Sequence, residues 1–353
     1  MRTLLAVLAL LAAPAAAAPP VPTEGDYTVA NFAFRSGETL PALRLHFATL
    51  GTPHRDARGE IDNTVLLLHG TGGTGKQFLQ PQFASELFGP GQPLDTARFY
   101  IVMPDGIGHG ASSKPSDGLH ARFPHYNYDD MVAAHHALLV EGLKVTWLRL
   151  LLGTSMGCMH GFVWGETYPG FARAQMPMAC LPVAIAGRNR TWRKLAMDAI
   201  RADPAWAGGD YAAQPVAGLR TAIALGMIAG SVPLRQQLEA PTRELADAAV
   251  TARMTADLAR VDANDQLYAL DASRDYDPSG SLEKITVPVA WLNSADDFIN
   301  PPGLRIAERT VGRMPNATFR LIPETPEGRG HSTHTWARFW KADLIALLRR
   351  SER

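Results

Sequence analysis

A serine becomes a nucleophile when a base takes its proton, an acid orients that base and N–H donors receive the oxyanion. Ser155, in Gly153-Thr154-Ser155-Met156-Gly157, is the residue of this chain best placed to do so. A strand-like run, Leu148 to Leu152, precedes it and a helical pattern follows, so Ser155 would stand on a sharp strand-to-helix turn. That turn crowds the neighbouring strand and helix, and Gly153 and Gly157 supply the room. Over five letters a glycine-rich turn with an ordinary serine reads the same. The companions must decide.

An acid is expected where a later strand ends. "VAWLNSADDFINPP" runs an apolar stretch into Asp296 and Asp297. Asp297 is the expected acid and Asp296 the alternative, because an Asp pair there could also cap a helix. A base is expected beyond it, in "EGRGHSTHTWARFW", where His331 lies beside Gly330 and His334 is the alternative. The two histidines could instead share a metal, but no third ligand pattern accompanies them, and no metal is expected.

Met156 N–H, at the start of the helix after Ser155, is one expected oxyanion donor. The second is Thr71 N–H in "VLLLHGTGGTG", a loop after an earlier buried strand whose glycines allow close backbone approach. This loop also begins like a phosphate-binding loop, with Gly70, Gly75 and Lys76. That motif needs Ser or Thr next, and the residue is Gln77, so no nucleotide cofactor is expected. His109, in "PDGIGHGASSKP", reads as a loop residue that could line a pocket. His135 and His136 read as packed or solvated helix residues, and Trp164, Trp192 and Trp291 as core.

The elements that must hold these groups are legible. "DYTVANFAFRSGETLPALRLHFATLG" alternates on both sides of Ser36-Gly37-Glu38, as two strands of a hairpin would. Val65 to Leu68, Phe99 to Met103 and Leu148 to Leu152 read as buried parallel strands, with helical stretches such as "YDDMVAAHHALLVEGL" between them. "ARAQMPMAC" is a further strand. From residue 184 to 277 only helical spacing is visible, and strands return in "KITVPVAWLNSADD" and "ATFRLIPE" before a closing helix, "TWARFWKADLIALLRR". The expected class is α/β, a mostly parallel central sheet covered by helices, with a helical lid insertion. The expected divisions are a first core part, 18–183, a lid, 184–277, and a second core part, 278–353.

The whole chain narrows the function classes. Its 353 residues, 46% of them hydrophobic, can bury a large core. Lys plus Arg equals Asp plus Glu at 34 each, so no imbalance points to nucleic acid. "MRTLLAVLALLAAPAAAAPP" carries Arg2, an apolar run and small residues at signal-peptidase spacing. It predicts a signal peptide over 1–17 and a periplasmic or secreted mature chain starting near Ala18. No membrane span is expected. Cys158 and Cys180 lie in apolar surroundings and are read as buried thiols packing as small hydrophobes, although an oxidising compartment would permit a bridge.

Serine, aspartate, histidine is the chain order of the α/β-hydrolase triad. The likeness goes further. "HFATLGTP…NTVLLLHGTGGTG", "GTSMGCMHGFVWGETYP" and "VDANDQLYALDASRDYDPSGSLEKITVP" resemble, in order, stretches of the homoserine O-acetyltransferase-like branch of the α/β-hydrolases. The resemblance runs from about Asp26 to the C-terminus. It implies the α/β-hydrolase fold, with Ser155, Asp297 and His331 as nucleophile, acid and base, and a homodimer formed through lid helices. In the transferases of that branch a lid stretch Tyr-Arg-Ser supplies an arginine for the amino-acid carboxylate. Gly230-Ser231-Val232 stands there in this chain, and Arg220, Arg235 or the Arg188, Arg190 and Arg193 cluster would have to substitute. The missing arginine and the export signal, with acetyl-CoA a cytoplasmic metabolite, favour an exported serine hydrolase of carboxylic esters or related acyl compounds. An O-acyltransferase with an alcohol acceptor is the alternative. The partner expected in either case is a small-molecule acyl substrate.

Overall fold

The structure, a computed structural model, describes residues 21–352. The expected signal peptide, 1–17, lies outside the described residues. Eight strands form one sheet: β1 (Thr23–Ala33), β2 (Thr39–Leu50), β3 (Thr64–Leu68), β4 (Tyr100–Pro104), β5 (Leu150–Thr154), β6 (Gln175–Met178), β7 (Val289–Ser294) and β8 (Ala317–Ile322). Their spatial order is β1-β2-β4-β3-β5-β6-β7-β8. β1 and β2 form the expected antiparallel hairpin, β2 joins β4 antiparallel, and every later pairing is parallel.

The helices are α1 (Pro81–Leu87), α2 (Tyr128–Ala137), α3 (Met156–Thr167), α4 (Gly187–Ala202), α5 (Val216–Ala229), α6 (Pro233–Glu239), α7 (Arg243–Leu258), α8 (Ala263–Asp271), α9 (Ile306–Thr310) and α10 (Lys341–Arg350). α4 to α8 fill the span between β6 and β7 with no strand among them. Successive strand residues point to opposite faces, and both faces of the central strands are covered. Leu66, Leu68 and Leu151 pack with α2, α3 and residues of α4, α5 and α8. Val65, Leu67, Leu150 and Leu152 pack with Phe83 of α1 and Leu344 of α10. Double-sided burial explains why β3, β4 and β5 are buried at every residue and read as continuous apolar runs.

The closing helix is shorter than its pattern predicts. It begins at Lys341, and residues 330–339 are tight turns instead. Trp340, fully buried, takes non-helical angles and donates its indole N–H to His334 O at 3.1 Å, which breaks the path before α10.

The two cysteines also depart from expectation. Cys158 of α3 and Cys180, just past β6, are joined by a disulfide, their Cα atoms 5.9 Å apart. α3 packs directly on β6, which brings the two side chains face to face at a separation a disulfide can span. Among the described residues no single helix is long and apolar enough to cross a membrane.

Candidate active site

Ser155 sits at the C-terminal end of β5 with φ 54° and ψ −110°, in the left-handed half of backbone space that side chains avoid. Its N–H donates to Met178 O at 2.8 Å, and Met159 N–H donates to its carbonyl at 3.1 Å, so both neighbouring elements hold the strained turn. The flanking glycines are required by space. A Cβ on Gly153 would lie 2.0 Å from Gly157 O, and one on Gly157 would lie 2.1 Å from Leu68 O.

The tight turn presents the hydroxyl to a histidine from the far end of the chain. Ser155 Oγ lies 2.8 Å from His331 Nε2, and His331 Nδ1 lies 2.8 Å from Asp297 Oδ2. With the Nδ1 proton donated to the carboxylate, Nε2 is free to accept from the serine. The Asp297 side chain is fully buried and the His331 side chain is 12% exposed, so the imidazole keeps an open edge while the carboxylate is shut off from solvent. Burial pushes the Asp297 carboxyl up, but the facing His331 and hydrogen bonds from Asn300 outweigh it and hold the group below its ordinary value. Asp297 Oδ1 accepts from Ile299 N at 2.8 Å and Asn300 N at 3.1 Å, and Oδ2 from Asn300 Nδ2 at 3.0 Å.

The alternative acid and base have other positions. Asp296 Oδ2 accepts from Gly330 N at 3.0 Å, which ties down the loop carrying His331. His334 is buried with its ring 5.3 Å from that of His331, and burial pulls it down to about 3, so it stays neutral.

Met156 opens α3, where the first backbone N–H groups have no intrahelical acceptor. The loop after β3 closes on the same point, since a Cβ on Gly70 would lie 3.3 Å from Ser155 Cβ. Thr71 follows Gly70, and the loop is held from beneath by His69. The His69 ring accepts from Gly106 N at 2.9 Å and faces Gly70 O at 2.9 Å, while His69 O accepts from Gly157 N at 3.0 Å. His109 packs 5.0 Å from His69 and lines a cleft of about 250 Å³ with Thr71 and Thr74.

Beside the acid loop lies a mainly apolar cavity of about 590 Å³ lined by Met159, Leu181, Ile185, Ile299 and Asn300, among others. His135, Trp164 and Trp291 are core; His136 stacks on Tyr168 at 4.0 Å, and Trp192 is half-buried against the core. Two supporting residues escape a reading of the sequence. Asn300, besides bonding Asp297, donates to Ala179 O at 3.0 Å and so joins the acid loop to the end of β6. Gln77 bridges the loop after β3 and Thr154. The only linear signal was its place where a phosphate-binding loop would need Ser or Thr.

Residues 63–328 match the family model described as the alpha/beta hydrolase fold. The homoserine O-acetyltransferase of Moorella thermoacetica is 32% identical over 310 residues, covering 76% of this chain and 80% of that protein. The homoserine O-acetyltransferase of Thermobifida fusca is 35% identical over 194 residues, 51% of this chain and 50% of its own. The serine O-succinyltransferase of Litchfieldella anticariensis is 31% identical over 214 residues, 55% of each. The chain thus spans about half the length of the latter two. Among solved structures, homoserine O-acetyltransferase from Bacillus anthracis superposes with TM-score 0.82 at 18% identity over 93% of this chain and 98% of that one. An acetylester hydrolase from Corynebacterium glutamicum does so with TM-score 0.79 at 20% identity, over 93% and 96%. At these identities the structural likeness is one of fold.

The sequence relatives correct one expectation. They are named as homoserine and serine O-acyltransferases, a class of cytoplasmic biosynthetic enzymes. The expected periplasmic or secreted location is therefore withdrawn, and the argument from export against acyl transfer falls with it.

Proposed function

For a chain that belongs to the α/β-hydrolase fold family, in its homoserine O-acetyltransferase-like branch, we propose an enzyme that transfers an acyl group to the hydroxyl of a small acceptor through Ser155. The observation that supports this most is the unbroken line of contacts from Ser155 through His331 to buried Asp297, 2.8 Å at each step. His331 takes the serine proton as Oγ attacks the carbonyl of an activated acyl donor, such as a thioester. Asp297 holds the imidazole tautomer and stabilises its positive charge. Met156 and Thr71 N–H groups receive the oxyanion, each donor contributing about 3 kcal/mol to the transition state. His331 then protonates the leaving group, and an acyl-serine remains. The acceptor hydroxyl next loses its proton to His331 and attacks the acyl carbon, and the acyl–Oγ bond breaks as His331 returns that proton to Ser155, releasing the ester.

Transfer needs an acceptor that outcompetes water at this acyl-enzyme. Helices α4 to α8 act as the lid that shields it in this reading. Val232, between α5 and α6, packs on Gly330 directly before the base, and a Cβ there would lie 2.8 Å from Val232 Cγ2. The relatives named for acyl transfer to homoserine and serine favour an amino-acid alcohol as acceptor.

Ester hydrolysis is the second reading. The observation that favours it is Gly230-Ser231-Val232, which places no arginine over the histidine loop. The two readings separate when an acetyl thioester is supplied with and without homoserine or serine, and O-acetyl product and free acetate are both measured. Transfer is expected to dominate with acceptor present and to vanish in Ser155→Ala. Acetate formation indifferent to every acceptor would replace transferase with hydrolase. Turnover retained by folded Ser155→Ala would remove the site assignment altogether.

A further inference from the structure

Met159, buried, stands one turn of α3 beyond Ser155, and its N–H donates to Ser155 O at 3.1 Å. Asn300, three residues past the acid, donates its amide to Asp297 Oδ2 at 3.0 Å. Both residues line the cavity of about 590 Å³ beside the acid loop, so the nucleophile and the acid have it as a common neighbour. The rest of its lining comes from residues 183–189, where the helices between β6 and β7 begin, and from residues between 299 and 306. Cys158 and Cys180, directly before Met159 and Leu181, are joined by the disulfide, which fixes that side of the cavity. Its volume falls in the roughly 300–1,000 Å³ range of small-molecule sites.

The polar side chains of this lining are Arg188, Asn189 and Asn300, and each is engaged elsewhere. Arg188 Nη2 donates to Phe298 O at 2.6 Å, and the guanidinium lies 3.7 Å from the centre of the Phe298 ring. Asn189 Oδ1 accepts from Arg193 Nε at 3.0 Å, and Asn300 Nδ2 is shared between Asp297 and Ala179 O. Among the described residues, none of the buried polar side-chain atoms left without a partner belongs to this lining. What remains for an occupant is hydrocarbon, supplied by Met159, Leu181, Ile185, Ile299 and Ile306. An acetyl group would leave most of that surface uncovered. A chain ending in a carboxylate would bury its charge without a free partner.

We propose that this cavity takes the alkyl chain of the acyl group that Ser155 carries, an uncharged chain of about six to ten carbons. The chain runs from the acyl carbon past Met159 and lies between the start of the lid and the segment after the acid. Each methylene that leaves water there adds to binding of the transition state. The proposal rests on the acyl-serine reading and names its acyl substrate; it holds whether water or an alcohol receives the acyl group.

The test measures p-nitrophenol release from p-nitrophenyl esters, which reports acylation of Ser155 whatever acceptor then removes the acyl group. From acetate to octanoate, kcat/KM should rise about 2- to 4-fold per added methylene. The hexanoyl ester should exceed the mono-ester of adipate, equal in length but ending in a carboxylate, by at least about 10-fold. Ile185→Trp, which fills the cavity from the start of the lid, should bring the octanoate-to-acetate ratio down toward one. Leu304→Trp should do the same from an exposed position, where folding is not at stake. Ser155-dependent activity that falls with chain length, or a ratio unchanged in both variants, overturns the proposal. If the tryptophans dissociate a dimer and leave the ratio alone, a second copy is the occupant and the acyl pocket is overturned. Release persisting in folded Ser155→Ala would sink the acyl-serine reading instead. Calorimetry then decides the cavity by itself. Octanamide, and not acetamide, should bind Ser155→Ala, and adding Ile185→Trp should abolish that binding. No octanamide binding overturns the pocket whatever the chemistry.

Discussion

Gln77 Nε2 donates to Thr154 Oγ1 at 2.8 Å, which ties the loop after β3 to the residue directly before Ser155. The other end of the same amide accepts from Gly70 N at 3.3 Å, and Thr154 Oγ1 in turn donates to Leu68 O at 3.2 Å. One side chain therefore sets the distance between Ser155 and Thr71, the proposed oxyanion donor.

Gln77→Leu should lower kcat by about 10- to 100-fold with little change in KM, because misplacing one donor by an ångström weakens the transition state more than binding. Gln77→Glu can still accept from Gly70 but cannot donate to Thr154 while ionised, so it should lie between the two. Steady-state kinetics checks both. An unchanged kcat in Gln77→Leu would remove the positioning role.

Gly157, two residues beyond Ser155, makes a second, purely steric prediction. A Cβ at Gly157 would meet Leu68 O at 2.1 Å and Leu68 Cβ at 2.7 Å, inside two packed elements that cannot both retreat. Gly157→Ala should cost about 3 kcal/mol or more and express largely insoluble. Gly312→Ala, where a Cβ meets nothing within 4 Å, should leave the melting temperature nearly unchanged. Equal melting temperatures for the two variants would contradict the packing described.

Acid should unfold this protein early. Burial holds His334 down to about 3 and His135 to about 4, and it pulls His69, His160 and His109 below their ordinary value as well. In the unfolded chain each titrates near 6.5. Above that pH these histidines cost the fold nothing. As pH falls below it, the unfolded chain takes up protons that the folded one refuses. Stability is then lost toward the folded values at up to about 1.4 kcal/mol per pH unit for each histidine. The depressed Asp297 carboxyl acts in a lower window, its contribution being lost only as pH falls below about 4. The melting temperature should drop by more than about 5 °C between pH 7.5 and 5.5. A flat profile would mean that these histidines protonate in place.

The sheet was readable because its central strands are buried on both faces and therefore appear as unbroken apolar runs, as in Val65 to Leu68 and Leu150 to Leu152. The hairpin was readable from alternation, and α4 to α8 from the lack of any strand pattern. The start of α10 was not, since the helical spacing runs through residues 335–340 and only the burial of Trp340 interrupts it.

Residue type and chain order, which are properties of the sequence, determined that a serine between glycines, an aspartate at a strand end and a histidine in a glycine-rich loop could work together. Choices between near neighbours were left to packing. Asp297 rather than Asp296 faces the histidine, and His331 rather than His334 reaches Ser155, because the loops turn one side chain inward and the next elsewhere. The bridge between Cys158 and Cys180 follows from α3 lying on β6. The burial of Arg193 is invisible in the linear chain, where it is one arginine among several, and its contact with Ser273 exists only once distant segments close around it.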